Sequence, residues 1–440
     1  MTRFAIDAAY GFAALVSSPV WLWRMSRNGK LKTDWPARFG RVSAPVPRTA
    51  KRRILLHAVS VGEVNAIRLL VEALSADPSR PEIVIASTTD TGCARAKAIF
   101  GDRHQVVRFP FDFSWPVERF LDSVRPDLVA LVELEVWPNF MSSCRRRGIP
   151  VAVVNGRLSE RSFARYRRAR PLVAPSFRRL TAVSAQTDAY AERFIALGVP
   201  HGSVFVSGTM KWDTAEIADE VPGAVELASA LGIDRTQPIV VAGSTALGEE
   251  RLIAESLPPD VQLVVAPRKP EWFDRAATEM PGCARRSRGD RGSSSGRFLL
   301  DTMGELRKAY ALADVAIVGR SFGTLHGSDM MEPVALGKAT IIGPRWGDFR
   351  ETMDALLADR GIVQSSVENL KADLARLLND AGERAALAAR GRAVIRRRQG
   401  ATRRNAELLL SMIGSDDTTV ENELGGAATA GSEESRHARV

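Results

Sequence analysis

Short β-branched apolar runs alternate with helical stretches along most of this chain. No other feature limits its fold as strongly. Strands are expected at 53–59, 83–87, 106–109, 127–132 and 151–154, with shorter runs at 180–183 and 204–206. Most end in loops carrying Gly, Ser, Thr or Asn, and helical segments lie between them. Alternation at this spacing builds βαβ units and a parallel sheet. A second series begins at 239–242 and continues at 263–266, 298–301, 315–318 and 340–342, followed by a helical stretch from 367 to 412. With 440 residues there is room for two domains of ordinary size. We therefore expect two Rossmann-like α/β domains, 36–208 and 237–414, joined by a connection at 209–236. Residues 1–35 read as an N-terminal anchor and linker. Residues 415–440, rich in Gly, Ala, Ser, Thr and Glu, read as a disordered tail. The polar run 285–296 reads as a mobile loop.

Charge bears on the partner. The formal net charge is +10, and the tail alone contributes −4, so the rest carries +14. Such an excess suits an anionic partner: a phosphorylated substrate, an acidic lipid surface or nucleic acid. Nucleic acid fits poorly, because the cations are dispersed and no recognition motif is present. Cys93, Cys144 and Cys283 are few and far apart, and only five histidines occur. Neither a disulfide framework nor a metal centre is indicated, and a reducing cytoplasmic location fits.

The segment 4–25, FAIDAAYGFAALVSSPVWLWRM, is long enough to span a bilayer, but Asp7 and Pro19 argue against spanning. Trp21 and Trp23 suit a membrane interface, with Arg24, Arg27, Lys30 and Lys32 close behind. A monotopic anchor on the cytoplasmic face is expected; the alternative is a buried amphipathic core helix.

Candidate chemistry sits at strand ends, where ligands of open parallel sheets bind. Glu63 follows the first strand behind Gly62, where it could act as a general base or merely serve a helix start. Glu133 and Glu135 close the fourth strand, and two carboxylates at one site raise each other's pKa. In the second half, Gly243-Ser244-Thr245 can hydrogen-bond a phosphate, and Arg268 within Pro267-Arg268-Lys269-Pro270 can grip one as a fork. The stretch 314–344 reads strand, glycine-rich loop, helix, strand. A helix starting near Met330 would aim free N–H groups at an anion, and Glu332 in its first turn could accept from two ribose hydroxyls.

These segments together resemble one family. HAVSVGE (57–63), ELEVWPN (133–139), NGRLSERS (155–162), SGTMKWD (207–213), PRKP (267–270), DTMGEL (301–306) and EPVALGK (332–338) look like the motifs of the 3-deoxy-D-manno-octulosonic acid (Kdo) transferases, in the family's order. The resemblance implies a GT-B glycosyltransferase, with two Rossmann-like domains facing across a cleft and an N-terminal membrane-anchor helix. It implies an inverting enzyme of the inner membrane's cytoplasmic face, moving Kdo from CMP-Kdo to a lipid A precursor, lipid IVA, with no metal and no cofactor. By motif, Glu63 matches the proposed proton acceptor, and Glu133 and Lys211 match residues credited with transition-state support. Pro267, Arg268, Met303, Gly304, Glu305, Asp329, Met330, Met331 and Glu332 match CMP-binding positions, and Ser244, Thr245 and Ser321 join them as donor-side candidates. Two places depart from the pattern. Gly319-Arg320-Ser321 stands where the family has Gly-Gly-Ser or Gly-Gly-Thr, and His326-Gly327-Ser328-Asp329 stands where it has Gly-Gly-His-Asn. Two other readings remain open: a GT-B transferase of another nucleotide sugar, such as a UDP-hexose, and a membrane-peripheral binding protein without catalysis.

Overall fold

Strands β1 (Arg53–His57) and β4 (Leu128–Val132) are buried along their whole length, as their apolar centres require, with the buried Arg53 at the start of β1 paired to Glu82. They lie side by side and parallel, in register from Ile54↔Leu128 to His57↔Leu131. Around them run β2 (Glu82–Ser87), β3 (Gln105–Arg108), β5 (Val151–Gly156), β6 (Ala182–Ala185) and β7 (Val204–Val206), in the order β3-β2-β1-β4-β5-β6-β7. The order reverses between β1 and β4, which makes that crevice the topological switch point. Phe120, Phe140, Phe177 and Phe194 pack the helices onto this sheet with Leu55, Val129 and Val153.

The computed structural model describes residues 3–27, 33–42 and 49–414. The cations Lys30 and Lys32 and the tail 415–440 lie outside the described residues. The chain divides into two compact units, one taking it to Thr209 and again from Gly400, the other spanning Met210–Gln399.

This division corrects two expected boundaries. The helix Ala401–Gly414 belongs to the first unit, where it packs on β4, β5 and the helix Arg68–Ala76. Asn405 Oδ1 accepts from Asn155 N (3.3 Å), and Arg404 donates to Ser207 O (2.6 Å). Apolar residues of that helix could cover either sheet, and periodicity does not say which. The stretch 209–236 is also no mere connection. Its helix Ala224–Leu231 inserts Leu227, Ala228 and Leu231 into the second unit's core.

In the second unit, β8 (Ile239–Thr245), β9 (Gln262–Pro267), β10 (Ala284–Arg285), β11 (Arg297–Leu299), β12 (Val315–Val318), β13 (Ala339–Ile342) and β14 (Val363–Gln364) form a sheet ordered β10-β11-β9-β8-β12-β13-β14. Every strand pair is parallel, and here the switch point lies between β8 and β12. The run 285–296, expected to be mobile, is tied down. Arg285 pairs with Asp301 (2.8 Å) and Asp274 (2.8 Å), and Ser287 donates to Asp301 (2.5 Å).

The N-terminal segment is one helix, Arg3–Arg27, with Pro19 inside it. Proline removes the N–H that would reach Leu15 O. The Ser18 hydroxyl donates to that carbonyl instead (2.7 Å). One face docks on the first unit. Tyr10 OH donates to Asp112 (3.2 Å), and Asp7 accepts from Ser114 N and Asn139 Nδ2 (both 2.9 Å). At about 3.6 residues per turn, Phe12, Leu15, Val16, Val20 and Trp23 fall on the opposite side. Each is more than half exposed. Among the described residues no helix is long and apolar enough to cross a membrane.

Candidate active site

In the first unit the chemistry gathers at the switch point. Ser60 caps the helix Val61–Ala66, its hydroxyl accepting from Glu63 N (3.4 Å), and the Glu63 side chain folds back over the cap. Glu63 Oε2 accepts from Val59 N (2.8 Å) and Oε1 from the Ser60 hydroxyl (2.8 Å). The expected helix-start role is therefore present. It also fixes the carboxylate in one place, half-buried, with lone pairs to spare.

Glu133 follows β4 directly. Continuing the β1–β4 register brings it level with Val59, the residue that Glu63 grips. The strand does not persist through 135. Glu133 takes φ +62°, a left-handed conformation that side chains rarely adopt. Its N–H donates to Val154 O (3.1 Å) and its carbonyl accepts from Arg157 N (3.2 Å). Burial raises the Glu133 carboxyl above the usual range; the Glu63 charge adds to this and Arg157 opposes it. Burial pushes Glu135 up to about 7 against a hydrogen bond from Trp137 Nε1 (2.9 Å), with the Glu63 and Glu133 charges adding. Three carboxylates thus share one crevice.

Beneath them His57 is fully buried and stacked on Phe109 at 3.7 Å, its Nε2 sharing a hydrogen bond with Thr88 Oγ1 (3.0 Å). Desolvation lowers its pKa to about 3, so it stays neutral and serves the packing.

The Glu135 shift gives a signed prediction. A carboxyl raised in the folded state binds more protons there than when unfolded, so stability falls as pH rises between about 4.5 and 7. Glu135→Gln should remove that slope and raise stability at pH 8 by roughly 1–2 kcal/mol, after discounting for partial exposure. Urea melts of both proteins at pH 5 and pH 8 check it. Equal pH slopes would mean that Glu135 is ordinarily solvated.

In the second unit a pocket of ≈ 220 Å³ is lined by Thr214, Ala215, Arg307, Asp329, Met331 and Glu332. The short helix Met331–Ala335 presents Glu332 from its first turn, and Gly337 just beyond takes φ +67°, the conformation that favours glycine after a helix. Among the described residues the half-buried Glu332 carboxylate has no hydrogen bond or ion pair. Burial raises its pKa; Arg307 opposes this and Asp329 adds to it. Arg307 is held by Glu216, through its carbonyl (3.0 Å) and carboxylate (3.3 Å). Asp329 Oδ1 accepts from Met331 N (2.9 Å), so the acidic departure from the family pattern caps the helix start. Lys211 Nζ lies 4.5 Å from the Phe349 ring centroid.

Arg268 is exposed at the end of β9. Met303 is exposed beside Gly304, which takes φ +86°, and Glu305 accepts from Thr302 Oγ1 (2.5 Å) and Arg286 (3.3 Å). Other candidates face inward. Pro267, Met330 and Met331 are buried in the framework, although Met331 still lines the pocket. Thr245 gives its hydroxyl to Glu250 (2.6 Å). Ser321 donates to Val318 O (2.6 Å) and accepts from Gly343 N (2.8 Å). These two hydroxyls are correctly placed on switch-point loops but are consumed by the protein, a correction to their expected ligand role. Ser244 keeps a partly exposed position at φ +56°. Sequence reasoning missed Thr214 and Arg307, which carry no motif signal, and Glu249, hidden in an ordinary acidic pair.

Comparison with known proteins bears on the family and the fold. Residues 33–214 match the family model described as 3-deoxy-D-manno-octulosonic-acid transferase (kdotransferase). The chain is 32% identical over 430 residues to the 3-deoxy-D-manno-octulosonic acid transferase of Bordetella pertussis, covering 92% of this chain and 98% of that one. It is 31% identical over 384 residues to the Haemophilus influenzae protein of the same name, covering 84% and 88%. A glycosyltransferase crystal structure from Rickettsia africae superposes with TM-score 0.53 at 13% identity, covering 83% of this chain and all of that one. At that identity the likeness speaks to the fold, two doubly wound domains of the GT-B type. A match of 32% identity running nearly end to end decides it, and the chain belongs to the 3-deoxy-D-manno-octulosonic acid transferase family.

Proposed function

We propose that this Kdo transferase takes its sugar from CMP-Kdo and places it on a lipid A precursor, lipid IVA, with inversion at the anomeric carbon. One observation carries the donor half: the half-buried Glu332 carboxylate lines a pocket and has no protein partner among the described residues. A buried acceptor without a donor is costly, and a ribose diol supplies two donors. Arg268, likewise uncommitted, is the cation for the phosphate. For the acceptor half, Glu63 takes the proton of an attacking sugar hydroxyl. The oxygen bonds to the anomeric carbon, the carbon–phosphate oxygen bond breaks, and CMP departs with the electron pair. Attack from the face opposite CMP converts a β-linked donor into an α-linked product. Glu133 acts through charge and position. The exposed apolar face of the helix Arg3–Arg27 holds the enzyme on the cytoplasmic face of the inner membrane, where such an acceptor resides.

Calorimetry tests the donor assignment. CMP should bind in preference to UDP; the reverse preference would favour transfer of another nucleotide sugar. Arg268→Ala should weaken CMP by about 1.5–3 kcal/mol, the scale of a hydrogen bond to a charged group. Glu332→Gln should weaken it through the ribose hydroxyls. Unchanged affinity in both variants would place the nucleotide elsewhere. Mass spectrometry of lipid IVA incubated with CMP-Kdo and the enzyme tests the transfer.

A further inference from the structure

The loops after β8 and β12 flank the second unit's switch point, the usual ligand crevice of a doubly wound sheet. They approach so closely that a Cβ on Gly319 would come within 2.5 Å of Thr245 Cα. Successive backbone N–H groups there point inward, as they do in loops that bind phosphate. The structure has already filled this anion site. Glu249, only 4% exposed, places its carboxylate in it. Oε2 accepts from Ala246 N (2.8 Å) and Arg320 N (2.7 Å), and Oε1 from Ser321 N (2.8 Å) and Phe322 N (2.9 Å). Four backbone donors on one buried carboxylate exceed what a surface helix start needs. Arg320 and Ser244 both hold positive φ beside it, +58° and +56°.

We infer that Glu249 is a positioning residue for donor binding: its carboxylate is the resident anion of the switch-point amides and fixes the 319–322 loop. The donor phosphate then has no claim on those amides and depends on side-chain cations such as Arg268. The inference rests on the donor reading given above. With no ligand phosphate against that backbone, the space needed for the Arg320 side chain is free, and the Glu249 hydrogen bond to Arg320 N helps hold its left-handed conformation, φ +58°.

Two variants test it in the full-length protein. Glu249→Gly empties the site, and Glu249→Gln keeps its shape but turns an NH₂ toward backbone donors. Both should weaken CMP at least about tenfold and raise the donor KM, with the acceptor KM little changed. Added formate, a carboxylate small enough for the vacated space, should restore CMP binding to Glu249→Gly and leave wild type unaffected. A purely structural role would lower the thermal midpoint without this selective rescue. Should Glu249→Gly prove unstable, the isosteric Gln variant decides by its CMP affinity. Wild-type affinity in a folded variant would overturn the inference. So would tighter CMP binding, which would make the amides the phosphate site and Glu249 its competitor. If wild type itself fails to bind CMP, the donor reading falls instead.

Discussion

Glu63→Gln is expected to lower kcat by roughly 10²–10⁴-fold, the usual contribution of a positioned general base. The substitution is unusually clean. A glutamine can accept from Val59 N through its amide oxygen and donate its amide N–H to Ser60 Oγ, so both neighbours keep a partner and the thermal midpoint should stay near wild type. CMP affinity should also hold, because Glu63 belongs to the first unit and the proposed nucleotide residues to the second. A chemical step that slows while folding and donor binding stand still is the signature of lost proton transfer. If Glu63→Gln transfers Kdo at a near-normal rate, the base lies elsewhere in the carboxylate crevice. Glu133 is then the candidate, its unusual backbone aiming a partly desolvated carboxyl into the same space.

Membrane attachment should collapse when the exposed face of the helix Arg3–Arg27 is made polar. Burying an aliphatic or aromatic side chain contributes about 1.5–3 kcal/mol. Changing Phe12, Leu15 and Val16 together to Ser should therefore reduce partitioning onto anionic phospholipid vesicles on the order of 10³-fold. Vesicle sedimentation measures this, with CMP binding as the control for an intact second unit. Deleting the helix is a poorer test than its sequence suggested. It would strip Asp7 and Tyr10 from Asn139, Ser114 and Asp112, disturbing the helix start that Asp112 caps. Undiminished vesicle binding by the triple variant would move the attachment surface, for example to the arginine-rich helix Glu160–Arg168.

Period and composition made both sheets legible, because parallel strands buried on both faces must read as unbroken apolar runs. The positions of Glu63, Glu133 and Arg268 just past strand ends, and of Glu332 at a helix start, followed from the same logic. The two-residue strands Ala284–Arg285 and Val363–Gln364 escaped, being too short to show any period. What sequence could not say is where each polar atom spends its hydrogen bonds. Ser321 and Thr245 look available in a glycine-rich or hydroxyl-bearing loop until the structure shows Gly343 N and Glu250 using them. Glu249 reads as ordinary helix-start charge, and only the fold brings residues 320–322 around it. Long-range pairing defeated the domain boundary for the same reason. Asn405 and Asn155 are 250 residues apart in sequence yet share a bond.

That return of the last helix bears on how the protein is made. Residues 401–414 cover β4 and β5, so the first unit is built from both ends of the chain. During synthesis the helix Arg3–Arg27, with its oily side, is made long before the helix Ala401–Gly414. The unit that the earlier helix docks on must then wait for some two hundred further residues before its last layer is translated. Throughout that interval the nascent protein carries an incomplete, sticky domain. If the proposed lipid contact forms that early, it shelters the unfinished domain, and the helix serves folding before it serves attachment.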